Sequence, residues 1–113
     1  MNIIDGWILV WGFSYVSCGF IKPDIFGNLS PTKSRIALLV DGVAILAGLA
    51  LRNSPIGKII LGITGLLEVV GGIASWSGVI KWNVPFEDKA PFNISMAFAD
   101  LISALSMFII ATT

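Results

Sequence analysis

Residues 65–75 read GLLEVVGGIAS, aliphatic and glycine residues with a single carboxylate, Glu68, in the middle. The run lies inside a longer apolar stretch, 55–80, and about 20 such residues suffice for a helix to cross a hydrocarbon core of about 30 Å. An acid left bare at mid-bilayer costs about 2.5–3.5 kcal/mol. Glu68 therefore has to be sheltered by protein, and the reading of the whole chain turns on what shelters it.

Working outward, the chain has 113 residues, 56% hydrophobic and 12% charged, against about 25% charged in an average soluble domain. A water-soluble domain this small would leave much of that apolar surface exposed, so lipid is the expected solvent. Four apolar segments, about 6–21, 36–51, 55–80 and 93–111, are separated by polar breaks that contain proline. They predict an all-α fold, an integral membrane four-transmembrane-helix bundle forming a single domain over residues 1–113. Period-two alternation is absent, which argues against a β-barrel.

The first segment starts too near the N-terminus, and without the basic lead-in, for a cleaved signal peptide. The second is short, but Arg35 and Arg52 flank it and can snorkel to lengthen it. Ser54 and Pro55 form a capped start for the third. Trp7, Trp11, Trp76 and Trp82 fall near segment ends and are expected as interfacial anchors.

With four spans, loops 22–35 and 81–92 share one side. They hold Lys22, Lys33, Arg35, Lys81 and Lys89, whereas the opposite side holds Arg52 and Lys58. The excess of basic residues puts both loops in the cytoplasm and both termini outside, with the cell (plasma) membrane as the expected location. Asn28-Leu29-Ser30 and Asn93-Ile94-Ser95 match a glycosylation sequon but fall on that cytoplasmic side.

Three segments carry one interior acid each: Asp41, Glu68 and Asp100. On each predicted helix the acid lies on the face with the smallest side chains. Ala37, Ala44 and Gly48 accompany Asp41; Thr64, Gly65, Gly71, Gly72, Ser75 and Gly78 accompany Glu68; Asn93, Ala97, Ser103 and Ala104 accompany Asp100. Small stripes let helices approach closely in membranes, so these residues are expected to pack helices and the acids to point inward. By a rise of 1.5 Å per residue, Asp41 and Asp100 should lie about 9–11 Å from their helix starts, with Glu68 nearer the midplane, about 18–20 Å from Lys81. The first segment contributes Ser14, Tyr15 and Cys18 at similar depth, and a hydroxyl there can donate to a carboxylate.

No lysine, arginine or histidine occupies a segment interior, so Glu68 is expected to be uncharged in the isolated chain. Three roles compete for the acids. They can hydrogen-bond neighbouring helices, meet basic or metal-bearing groups of another subunit, or form a proton or cation pathway.

The formal net charge is zero with no basic cluster, which argues against nucleic-acid binding. The absence of histidine removes the commonest metal ligand and general base. The lone Cys18 excludes an intrachain disulfide, and Met1, Met96 and Met107 are scattered singly. No catalytic residue, metal or cofactor is expected, and the chain is not expected to be an enzyme by itself. Loop 81–92, KWNVPFEDKAPF, mixes aromatics, prolines and charges and reads as an interfacial connector or a partner-docking segment.

Size and helix count resemble the small multidrug resistance transporters, but the essential glutamate of their first helix has no counterpart in segment 6–21. GFIKPDIFG and EVVGG resemble elements of the DoxX family over about a fifth of the chain. An additional helix (36–51) intervenes between them, and neither likeness is adopted. The expected function is a small accessory or structural subunit of a larger integral-membrane complex, such as a membrane oxidoreductase or monooxygenase, with other membrane subunits as partners. The alternative is a small homo-oligomeric proton-coupled transporter that uses Glu68.

Overall fold

Three of the four helices begin on a side chain that captures a free backbone N–H. Asn2 accepts from the Asp5 amide at 2.9 Å, Ser30 from that of Lys33 at 3.3 Å, and Ser54 from that of Gly57 at 3.2 Å. Pro31 and Pro55 follow two of these caps, where the missing N–H costs nothing. The computed structural model describes residues 2–113 and is all-α. It comprises α1 (Ile3–Ile21), α2 (Pro31–Ala50), α3 (Pro55–Trp76) and α4 (Ala90–Thr112). Helices α1, α3 and α4 are long and apolar enough to cross a membrane. Helix α2 is 20 residues long but contains Lys33, Arg35 and Asp41.

The helix limits depart from the hydropathy reading because caps, not apolarity, set them. Helix α2 begins at Pro31 rather than 36 and takes Lys33 and Arg35 into its first turns. Helix α1 begins at Ile3 and so includes Asp5. Helix α3 ends at Trp76 rather than 80, since Gly78 has φ +79°, a left-handed conformation that terminates helices. Gly78 is thus a turn residue with no neighbour where a Cβ would sit, not a helix-packing position.

Consecutive helices pack side by side, and α4 returns to α1. In the α1–α2 hairpin a Cβ on Gly42 would lie 2.9 Å from the Gly12 carbonyl oxygen. In the α3–α4 hairpin a Cβ on Gly72 would lie 3.2 Å from the Ala97 carbonyl oxygen. Towards the end that holds both termini and the α2–α3 turn, Ile8, Ile45, Leu61, Met107 and Ile110 form the apolar core.

At the opposite end the two long loops pair with each other. The Gly27 amide donates to Lys81 O at 2.5 Å and the Asn83 amide to Ile25 O at 2.7 Å, making an antiparallel bridge at Phe26 and Trp82. Trp82 is only 4% exposed. It packs on Phe26 and Phe92 and donates to Ser75 Oγ at 3.3 Å, so it plugs the bundle instead of serving as an interfacial anchor.

At the end with the termini, Arg52 in the α2–α3 turn forms an ion pair with Asp5 of α1. The Asp5 side chain is 9% exposed and that of Arg52 35%, so this pair closes one end of the bundle in a partly dry setting. Removing one partner of such a pair costs more than removing both. Arg52→Gln is expected to lose about 1–3 kcal/mol of stability. Asp5→Asn/Arg52→Gln should lose less than the single Arg52 variant, a non-additivity that denaturant unfolding of the four proteins measures.

Candidate functional site

Glu68 projects from the middle of α3 into the bundle and is 3% exposed. Its carboxyl shares the bundle interior with the carboxyls of Asp41 on α2 and Asp100 on α4. The Tyr15 hydroxyl on α1 donates to Glu68 Oε2 at 3.2 Å. All four helices therefore meet at one polar layer, with Glu68 as its hub.

The four groups lie six to ten residues from the long-loop ends of their helices, a common depth of about 9–15 Å. The staggered depths read from the sequence follow from the hydropathy-based helix limits. Starting α2 and α4 earlier and ending α3 sooner brings the acids level. Asp41 Oδ1 and Asp100 Oδ1 are buried and have no hydrogen-bond partner, so the layer retains unused acceptor capacity. Among the described residues, no group of three or more His, Cys, Asp or Glu side chains is disposed to hold a metal ion.

An aromatic ladder leads down α1 to this layer. Trp7 stacks on Trp11 with ring centroids 5.9 Å apart, and Trp11 meets Tyr15 edge-on at 5.4 Å. Trp7 Nε1 donates to Ser103 Oγ on α4 at 2.8 Å. Trp11 is half-buried and packs against the apolar core, which makes it an inter-helix residue rather than an anchor. Trp76, 62% exposed, points outward beside Phe98.

No family model, curated protein or solved structure matches this chain. The site therefore has to be read from its own geometry.

Of the residues singled out by sequence, Gly48, Gly65, Gly72, Ser75, Ala97 and Ala104 are buried, and Gly71 is half-buried beside the Asp100 carboxyl. Ser14 departs from expectation: it is exposed, and its hydroxyl donates to Val10 O at 2.7 Å. It lies outside the carboxyl layer because Tyr15, one residue on, takes the inward face. Ala44 also departs. The tight face of α2 is Ser34, Leu38, Gly42, Ile45 and Gly48, whereas Ala37 and Ala44 line an open cleft of about 680 Å³ between α2 and α3. Their small side chains leave that space unfilled. Asp41, Tyr15 and Thr64 also line it, with Lys33 among its residues.

Sequence reading missed Asp5 because it precedes the apolar run, and Gly12 and Gly42 because neither shares a face with an acid inside an apolar run. Ser30-Pro31, the same cap as Ser54-Pro55, was the signal available for the true start of α2.

Proposed function

We propose that this chain is a four-span integral protein of the cell membrane, with α2 as the fourth span and both long loops in the cytoplasm. In this reading it is a non-catalytic accessory subunit of a larger membrane complex, an oxidoreductase or monooxygenase. Its carboxyl layer braces the helices and completes a polar path for protons. The observation that carries the reading is the hub at Glu68, which joins α3 to groups on α1, α2 and α4 within one chain. A device of this kind fixes helix positions, and an intramembrane acid chain is also a usual mark of proton traffic. The outward faces are aliphatic, with Val10, Val40, Leu66, Val70 and Leu105 each about 60% exposed, and such faces suit lipid or neighbouring spans.

Purification of the native protein in mild detergent tests this. Other integral-membrane subunits should co-purify in fixed proportion, and a stable monodisperse population of this chain alone would overturn the proposal. The second reading, a homo-oligomeric proton-coupled carrier, is favoured by one feature: the cleft that reaches Asp41 from the side. In liposomes containing only this chain, a carrier shows pH-driven flux that Glu68→Gln abolishes, whereas a brace shows no flux.

A further inference from the structure

We propose that the cleft between α2 and α3 is a binding site for an anionic phospholipid of the leaflet on the long-loop side. The phosphate sits at Lys33, and one acyl chain lies in the cleft. The proposal rests on α2 being the fourth span, and it holds for an accessory subunit and a carrier alike.

Shape sets the apolar part of the ligand. The cleft measures about 680 Å³, within the roughly 300–1,000 Å³ of small-molecule sites. It opens sideways, where Ile36, Val40, Ile63 and Leu67 are between 55% and 62% exposed. In a membrane that opening faces lipid, so an occupant enters from the bilayer. Between Lys33 and Ala44, both in its lining, the cleft runs about 16 Å along α2. Half of a hydrocarbon core of about 30 Å is about 15 Å. The cleft is therefore one leaflet deep, the reach of a single acyl chain.

Charge sets the other end. Lys33 is exposed and belongs to the first turn of α2, the level at which headgroups lie if α2 spans. Its amide donates to Ser30 Oγ, but its ammonium takes part in neither ion pair among the described residues, Lys22–Asp24 and Arg52–Asp5. Nearby acids are engaged or remote. Asp24 is held by Lys22 at 3.3 Å and accepts from Asn83 at 3.0 Å. Asp41 lies two turns deeper, about 12 Å along α2, and its Oδ1 is buried. Arg35 is directed to α1, where its Nε donates to Gly19 O at 3.1 Å. A lysine without a protein anion thus stands at the mouth of an apolar channel one acyl chain long. An anionic phospholipid complements both parts. A zwitterionic lipid carries its own ammonium beside the phosphate and gains less from Lys33, since a basic residue at the surface favours anionic headgroups.

The full chain, with any subunits that co-purify, is to be placed in nanodiscs of equal phosphatidylglycerol and phosphatidylcholine, and the lipid it retains on release counted by native mass spectrometry. One phosphatidylglycerol per chain should be retained, in about fivefold preference to phosphatidylcholine, the selectivity a single lysine confers. Lys33→Gln should bring that preference to about one. Ala37→Phe, which fills the cleft from an exposed position, should lower retention of both lipids at least fivefold. Lys89→Gln, outside the cleft, should change neither. Equal retention of the two lipids by the wild type, an unchanged preference in Lys33→Gln, or wild-type retention in Ala37→Phe would each overturn the proposal. In a Cys18→Ala background, Val40→Cys should resist a water-soluble maleimide. Labelling there would overturn the four-span reading and this proposal with it, whereas protection without lipid preference would overturn the proposal alone.

Discussion

Glu68→Leu is expected to be among the most destabilising single substitutions in the bundle, lowering stability by about 2–5 kcal/mol. The change removes contacts to Tyr15, Asp41 and Asp100 together, and inter-helix hydrogen bonds in membranes are worth about 0.6–1.7 kcal/mol each. It also leaves two carboxyls and a phenol facing aliphatic carbon, and orphaned buried groups carry their full desolvation cost. Glu68→Gln keeps the size and part of the hydrogen bonding, and should lose under about 1 kcal/mol. Removing the whole layer should behave differently from removing its hub. With Tyr15→Phe, Asp41→Leu, Glu68→Leu and Asp100→Leu combined, no orphan remains, and most of the lost stability should return. Unfolding in detergent mixtures, followed by tryptophan fluorescence, measures the series. A quadruple variant less stable than Glu68→Leu would show that the layer is held by more than mutual satisfaction.

The second large effect is expected at a glycine. Gly57 lies in the first turn of α3, where a Cβ would land on the Leu51 carbonyl oxygen and sit 2.9 Å from the Arg52 amide nitrogen. These are backbone atoms of a turn that Ser54 closes by donating to Leu51 O through its amide at 2.9 Å and its hydroxyl at 2.8 Å. No rotamer change relieves such a clash, so Gly57→Ala should cost about 1–3 kcal/mol and loosen the turn that presents Arg52 to Asp5. Gly62, later in the same helix, has nothing within 4 Å of its Cβ position. Gly62→Ala should therefore be neutral or stabilising by up to about 1 kcal/mol, the ordinary gain from alanine in a helix. The two melting temperatures, compared in one detergent, test the contrast. Similar shifts for both would mean that the turn does not abut α3 as described.

Much of the architecture was legible because membranes impose a simple code. Apolar runs of roughly bilayer-spanning length, proline-bearing breaks and the Ser54-Pro55 cap are local signals, and they locate the helices to within a few residues. Where the starts of α1 and α2 moved, polar residues were the cause: Lys33 and Arg35 disguised the first turns of α2, and Asp5 the start of α1. The inward placement of Asp41, Glu68 and Asp100 followed from the cost of exposing an acid to lipid. The rotation of each helix did not. Ser14 and Tyr15 are adjacent polar residues, and only packing against the other helices decides which one reaches the carboxyl layer.

From sequence alone, the chain is constrained to helices of roughly bilayer length and each acid to a protein-facing side, because solvation energy acts on every residue one at a time. Tertiary structure decided which acids meet, that Trp82 plugs the bundle end, and that Ala37 and Ala44 border a cleft instead of a seam. Those outcomes depend on distances between residues on different helices, set by how whole faces of glycine, aromatic and aliphatic side chains fit together. No single stretch of sequence carries that information.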